Sequence, residues 1–181
     1  CPFDPTPHSK AWDPTDMGSK TYNGNAKYFG DMVSYMDFSV SRIVNTLDQL
    51  GLRKKTLIIF TADNGTDVPV VSMMDNISVV GGKGKTTDNG THVPLIVSWP
   101  GKVKPNAHTN TLIDFSDFFP TICDVAGIQL DSNLDLDGIS FYPELIGKKA
   151  IQRRWIHTWY NRDGGSNPLR ATREWVRDET Y

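Results

Sequence analysis

Two stretches of this sequence carry side chains that could do chemistry. The first, Thr56 to Gly65, reads Thr-Leu-Ile-Ile-Phe-Thr-Ala-Asp-Asn-Gly and ends on Asp63 and Asn64. A carboxylate beside an amide offers hard oxygen ligands, which suit Ca2+ or Mg2+ better than a soft metal. Two ligands are not a site, because calcium takes about six to eight oxygens and the rest must come from water, substrate or other protein groups. Asn64-Gly65 also has a plainer use, since the dipeptide accepts positive φ and makes turns; spacing alone favours that use. The second stretch, Gly81 to Gly90, is a glycine-punctuated loop carrying Lys83 and Lys85. Exposed backbone amides and ammonium groups there could hold an anion. The spacing is not that of a Walker loop, and lysine-bearing glycine loops are more often simply solvated.

Other candidates are weaker. His8, His92, His108 and His157 show no metal-ligand spacing. Trp155, Trp159 and Tyr160 could form a sugar-stacking platform, yet strand alternation puts Trp155 and Trp159 on one face, where core burial is the expected use. No Gly-x-Ser-x-Gly elbow and no Cys-His pairing offers a nucleophile. Cys1 and Cys123 are too few for a disulfide framework and leave the compartment open; nothing in the sequence supports a bridge between them.

The elements that must position these residues follow from periodicity. Residues 1–24 are proline-rich loop. From Asn25, the residues Phe29, Val33, Met36, Val40, Ile43, Leu47 and Leu50 recur at helical spacing, which predicts one long helix with an apolar stripe, capped at Gly51. The apolar run from Thr56 lacks alternation and predicts a strand buried on both faces, as in parallel α/β sheets. Ligands in such sheets bind beyond the carboxyl ends of strands, where Asp63 and Asn64 stand. Residues after Gly65 are expected to be irregular through Val80, with extended chain around Val68 to Val71. A second buried strand is predicted from Val93 to Trp99, with a turn at Trp99-Pro100-Gly101-Lys102. A helix is predicted to start near Phe118 or Phe119, with Pro120 in its first turn and Gly127 after its end. An acidic loop over 128–139, a helical turn over Tyr142 to Leu145, a strand over Trp155 to Tyr160, a turn over Asn161 to Gly165 and a strand from Glu174 complete the reading.

Composition narrows the class. The chain has 181 residues, 38% hydrophobic and 22% charged, which is enough for a sizeable core and argues against disorder. It has no apolar run long enough to span a membrane, and a net charge of −2 carries no basic stripe for nucleic acid. No secretory signal is visible at Cys1-Pro2-Phe3, and the beginning reads as the middle of a longer polypeptide.

In order along the chain stand Thr61-Ala62-Asp63-Asn64-Gly65, then Gly81-Gly82-Lys83-Gly84-x-Thr86-Thr87-x-x-Gly90-x-x-Val93-Pro94, then Trp99-Pro100-Gly101. There follow Asp114-Phe115-x-Asp117-x-x-Pro120-Thr121 ending in Ala126-Gly127, and Leu136-Asp137-Gly138-x-Ser140. From about Tyr28 to Tyr160 this series resembles the later part of the type I sulfatases, the arylsulfatase family. The resemblance implies a partial alkaline-phosphatase-like α/β fold, a sheet flanked by helices. Residues 1–152 would form the later part of the α/β domain, and 153–181 the start of a small C-terminal antiparallel subdomain. It implies hydrolysis of sulfate monoesters, aryl or carbohydrate, with bound Ca2+ and a formylglycine nucleophile made from cysteine or serine. Asp63 and Asn64 match the family's calcium-ligating pair, and Lys83 matches the lysine that contacts the substrate sulfate. Export to the periplasm or outside the cell is the favoured compartment.

The departures set further expectations. The family's nucleophile lies in a Cys/Ser-x-Pro-x-Arg motif, which neither cysteine opens, since Cys1 is followed by Pro-Phe-Asp and Cys123 by Asp-Val-Ala; an early Asp-Asp pair that completes the calcium shell is also missing. Formylglycine is therefore expected only upstream, calcium binding is expected to be weak, and the isolated chain is expected to be inactive. The family's sulfate-contacting histidine would fall upstream of Cys1, and His8 replaces it poorly by position. Lys85 and His92 stand where threonine and arginine are frequent. Two rivals remain: a phosphate or phosphonate ester hydrolase of the same superfamily, and a non-catalytic anion- or glycan-binding module. Apolar surfaces left uncovered would favour self-association.

Overall fold

The apolar period after Asn25 does build a long helix. In a computed structural model, which describes residues 3–16, 25–161, 173–178 and 180, a 3-10 turn over Ala26–Tyr28 leads into α1, Phe29–Gln49. The Asn25 side chain accepts from the Lys27 N–H and caps the turn. Gly51 ends the helix at φ 65°, with the Leu52 N–H reaching the Leu47 carbonyl at 2.8 Å, a Schellman closure. The 21 residues of α1 span about 32 Å.

The chain divides into two compact units, Cys1–Ile96 and Val97–Tyr181. In the first, the segment before the helix packs on α1. Phe3 meets Phe29 edge-on at 5.7 Å, His8 meets Tyr35 and Phe38 at 5.0 and 4.4 Å, and the Ser9 hydroxyl donates to Asp31 at 2.6 Å. The predicted stripe is only partly used: Phe29, Val40 and Leu47 are half-buried, while Val33, Met36, Ile43 and Leu50 are exposed.

After a 3-10 turn at Arg53–Lys55 the predicted strand forms as β1, Ile58–Thr61. It is half-buried along its length rather than buried on both faces, since its sheet among the described residues has one other strand, β4 (Leu95–Ser98). The second strand is likewise incompletely covered, with Ile96 exposed.

Between them lies the largest departure from the sequence reading. The segment expected to be irregular holds an antiparallel hairpin, β2 (Val71–Met74) with β3 (Ile77–Val80), in the register Val71 to Val80 and Met74 to Ile77. Asp75 and Asn76 both take positive φ, 48° and 65°, as a two-residue type I′ hairpin turn requires. A short helix, α2 (Asp88–Thr91), closes the glycine loop.

The second unit is organised by one buried carboxylate. Phe115–Asp117 forms a 3-10 turn that runs into α3, Phe118–Ala126, with Pro120 in the first turn and Gly127 at φ 69° as the left-handed cap. The Asp114 and Asp117 side chains cap each other's backbone across the turn. Asp117 also accepts from the Ile139 N–H at 2.7 Å and pairs with the Arg153 guanidinium, whose Nε lies 3.2 Å away. That carboxylate, first of all, raises the Arg153 pKa. The fully buried Thr121 hydroxyl donates to the Asp117 carbonyl at 2.6 Å and accepts from the Phe141 N–H at 3.0 Å. The expected turn over Tyr142–Leu145 is α4. Strands β5 (Ile156–Tyr160) and β6 (Arg173–Arg177) pair antiparallel, His157 opposite Val176. The turn expected over Asn161 to Gly165 lies almost wholly outside the described residues, as does Cys1; Cys123 is a free, buried thiol.

Candidate anion and cation site

The loop that follows β1 and the glycine loop are joined along their backbones. The Gly65 N–H donates to the Gly90 carbonyl at 2.9 Å, and the Gly82 and Lys83 N–H groups both donate to the Thr66 carbonyl at 2.9 Å. The Gly81 N–H closes on the Val70 carbonyl at 2.8 Å. The approach is too close for side chains: a Cβ on Gly65 would sit 2.0 Å from the Asn89 carbonyl oxygen, and one on Gly81 would sit 2.0 Å from that of Asp67. Gly81, Gly82 and Gly90 are accordingly buried. Asn89 pins the loop from inside, its Nδ2 donating to the Val80 carbonyl at 2.9 Å and its Oδ1 accepting from the Thr87 hydroxyl.

These bonds put two sequence candidates on adjoining loops. Asp63 and Lys83 are exposed and Asn64 is half-buried. Asp67, between them along the backbone, has its carboxyl held below the ordinary range, chiefly by the Val68 N–H and also by the Lys83 charge. Lys85 and His92 are exposed, with backbone N–H groups turned back to the Gly82 and Asp88 carbonyls. Among the described residues no group of three or more His, Cys, Asp or Glu side chains could hold a metal. Asp63 and Asn64 fit a hard cation as two oxygen donors of a larger shell.

Other sequence candidates fall elsewhere. His8 is engaged with the α1 aromatics, a packing role. Trp155 and Trp159 do share a face, but core burial is not their use: they are 54% and 49% exposed, because the half-buried face of β5 carries Ile156, Thr158 and Tyr160. Sequence reasoning missed Thr66 and Asn89. Thr66 acts through its carbonyl, which no side chain advertises, whereas glycines at 65, 81, 82 and 90 were a readable sign of close backbone approach.

Residues 3–128 match the sulfatase family model. The chain belongs to the sulfatase family. Residues 83–177 also match the model for the C-terminal part of N-sulphoglucosamine sulphohydrolase. Human steryl-sulfatase is 34% identical over 147 residues, covering 78% of this chain and 25% of the relative. An N-acetylgalactosamine-6-O-sulfatase of Bacteroides thetaiotaomicron is 31% identical over 140 residues, covering 70% of the chain and 27% of the relative. This sulfatase chain thus spans about a quarter of the length of the curated relatives it matches. A protein solved with its substrate D-glucosamine-2-N,6-O-disulfate superposes with a TM-score of 0.67 at 22% identity, over 91% of this chain and 33% of that one. The fold is therefore the alkaline-phosphatase-like α/β fold of sulfatases. Among the described residues no helix is long and apolar enough to cross a membrane.

Proposed function

We propose that this sulfatase hydrolyses sulfate monoesters of carbohydrate or aryl alcohols, R–O–SO3− and water giving R–OH and HSO4−. Lys83 contacts the sulfate, and Asp63 and Asn64 supply two ligands to a Ca2+. The observation that carries this reading is the double acceptance at the Thr66 carbonyl, which tethers the Lys83 loop beside the Asp63-Asn64 loop. A bound divalent cation offsets negative charge on the sulfate oxygens. The Lys83 ammonium does the same for the charge that grows on the leaving oxygen as the S–O bond breaks. Neither Cys1 nor Cys123 opens a Cys-x-Pro-x-Arg motif, and the Ser-x-Pro-x-Arg run from Ser166 to Arg170 lies outside the described residues and far along the chain. On this reading the nucleophile comes from outside this sequence, so that the chain alone does not turn over. A relative that acts on an N-acetylgalactosamine sulfate supports a carbohydrate substrate, and export of the protein belongs to the same proposal.

The test is steady-state kinetics on a polypeptide that contains these residues together with the nucleophile motif, using matched sulfate and phosphate esters. Lys83→Ala should lower kcat/KM for the sulfate ester about 100- to 1000-fold. Preference for the phosphate ester, or an unchanged rate in the variant, would overturn the assignment. Turnover of a chromogenic aryl sulfate by the 181-residue chain, lost on Lys83→Ala, would show that the nucleophile lies within it.

A further inference from the structure

The β5–β6 hairpin has two unlike faces. Ile156, Thr158, Tyr160, Trp175 and Arg177 are half-buried, while Trp155, His157, Trp159, Glu174 and Val176 are exposed. The registers His157 to Val176 and Trp159 to Glu174 put those four on one surface, and Trp155, the residue before β5, continues their alternation of exposure. Trp155 and Trp159 turn two large apolar side chains about half to water, although the opposite face already carries Trp175 and Tyr160. The exposed two are four residues apart, about 13 Å along an extended chain, too far to stack on one another. His157 lies between them along the chain, and its Nε2 stands 3.8 Å from Oε2 of Glu174, the residue opposite Trp159, both side chains about half-exposed or more.

We propose that this face is a carbohydrate platform, on which Trp155 and Trp159 stack two rings of an oligosaccharide and the His157–Glu174 pair bonds its hydroxyls. The inference rests on the reading that the substrate is a carbohydrate. The pattern selects this occupant on chemical grounds. A lipid or an apolar protein surface would strand the His157–Glu174 pair without partners, at a desolvation cost. A sugar chain offers apolar C–H faces to the indoles and hydroxyls to both the imidazole and the carboxylate. The platform recognises sugar rings, not sulfate.

The experiment titrates the 181-residue chain with a galactosamine-6-sulfate tetrasaccharide and with its desulfated form, following indole N–H resonances. Both should bind through the face. Trp155→Ala with Trp159→Ala should weaken each Kd at least tenfold. The Trp→Leu pair, which keeps apolar bulk without a ring, should fold like the parent and lose binding as severely. Failure of either sugar to shift the Trp155 and Trp159 signals, or Leu variants that bind as the parent does, would overturn the platform. So would a dimer in sedimentation that Trp159→Leu converts to monomer, because a second copy would then cover the face. The two proposals fail separately: a sulfate-specific enzyme whose binding ignores both tryptophans loses the platform only, whereas sugar binding lost in the Leu variants without Lys83-dependent hydrolysis loses the function only.

Discussion

The glycine-lysine loop of the first unit and the Asp117 cluster of the second are built in opposite ways. In the loop, backbone bonds and missing Cβ atoms do the holding, and the side chains of Asp63 and Lys83 are left exposed. Around Asp117, side chains do the holding: the carboxylate and the Arg153 guanidinium are spent on each other, the carboxylate also on the Ile139 N–H, and the Thr121 hydroxyl on the Asp117 carbonyl and the Phe141 N–H. Gly138 is bound into the same cluster, since a Cβ there would lie 2.0 Å from the Ser116 carbonyl oxygen. Motifs of equal specificity in the sequence therefore have different physical content. A chemical site needs charged groups with spare bonding capacity, and an architectural one leaves them none.

That contrast is broken most forcefully at Asp117. Asp117→Ala should destabilise the chain by about 3–5 kcal/mol in urea unfolding, because it takes the ion-pair partner from the largely covered Arg153 guanidinium and the acceptor from the Asp114 and Ile139 N–H groups. A loss below about 1 kcal/mol would mean that the cluster is incidental. Gly65→Ala comes next. The new methyl meets the Asn89 carbonyl, so the two loops must part, at about 1–3 kcal/mol. The Gly82 and Lys83 amides should then lose hydrogen-exchange protection, and unaltered protection would show that the loops are not coupled. Thr121→Val should cost about 1–3 kcal/mol, since the Phe141 N–H loses its buried acceptor while the shape is kept. Equal stability by thermal unfolding would sink that account.

How far the sequence discloses these features depends on what holds them. Periodicity exposed α1 and α3 because helical burial is a side-chain pattern, and Gly51 and Gly127 marked their ends because only the cap positions need positive φ. The β2–β3 hairpin was hidden for the converse reason. Its strands are exposed and carry apolar residues without alternation, and its turn is Asp-Asn rather than Asp-Gly, a weaker signal for the same left-handed geometry. Burial of β1 and of Trp159 was overestimated because apolar content fixes preference, not what is present to cover it. At the candidate site, Asp63, Asn64 and Lys83 were legible as side chains, while the Thr66 carbonyl that joins their loops was not.

The smallest expected effects test the other half of the contrast, that the loop's charged side chains do little for stability. Lys83→Ala should change unfolding free energy by no more than about 0.5 kcal/mol, as for exposed substitutions generally. Its electrostatic trace should be visible at Asp67. The folded carboxyl titrates below its ordinary 3.8, held down first by the Val68 N–H and among lesser causes by Lys83. A depressed carboxylate contributes stability that is fully present above its unfolded pKa and is lost as pH falls through the folded one. The Asp67 carboxylate should therefore hold the neighbouring Val68 N–H at neutral pH and release it only as the pH falls through and below the ordinary carboxylate range. Asp67→Asn should abolish that acid step, and Lys83→Ala should move the Asp67 midpoint upward by a small amount, because the pair is open to solvent and screened. Carboxyl chemical shifts followed against pH resolve both changes. A midpoint that falls when Lys83 is removed would mean that the lysine repels or displaces a proton acceptor, and its charge would then not be directed into the space the two loops share.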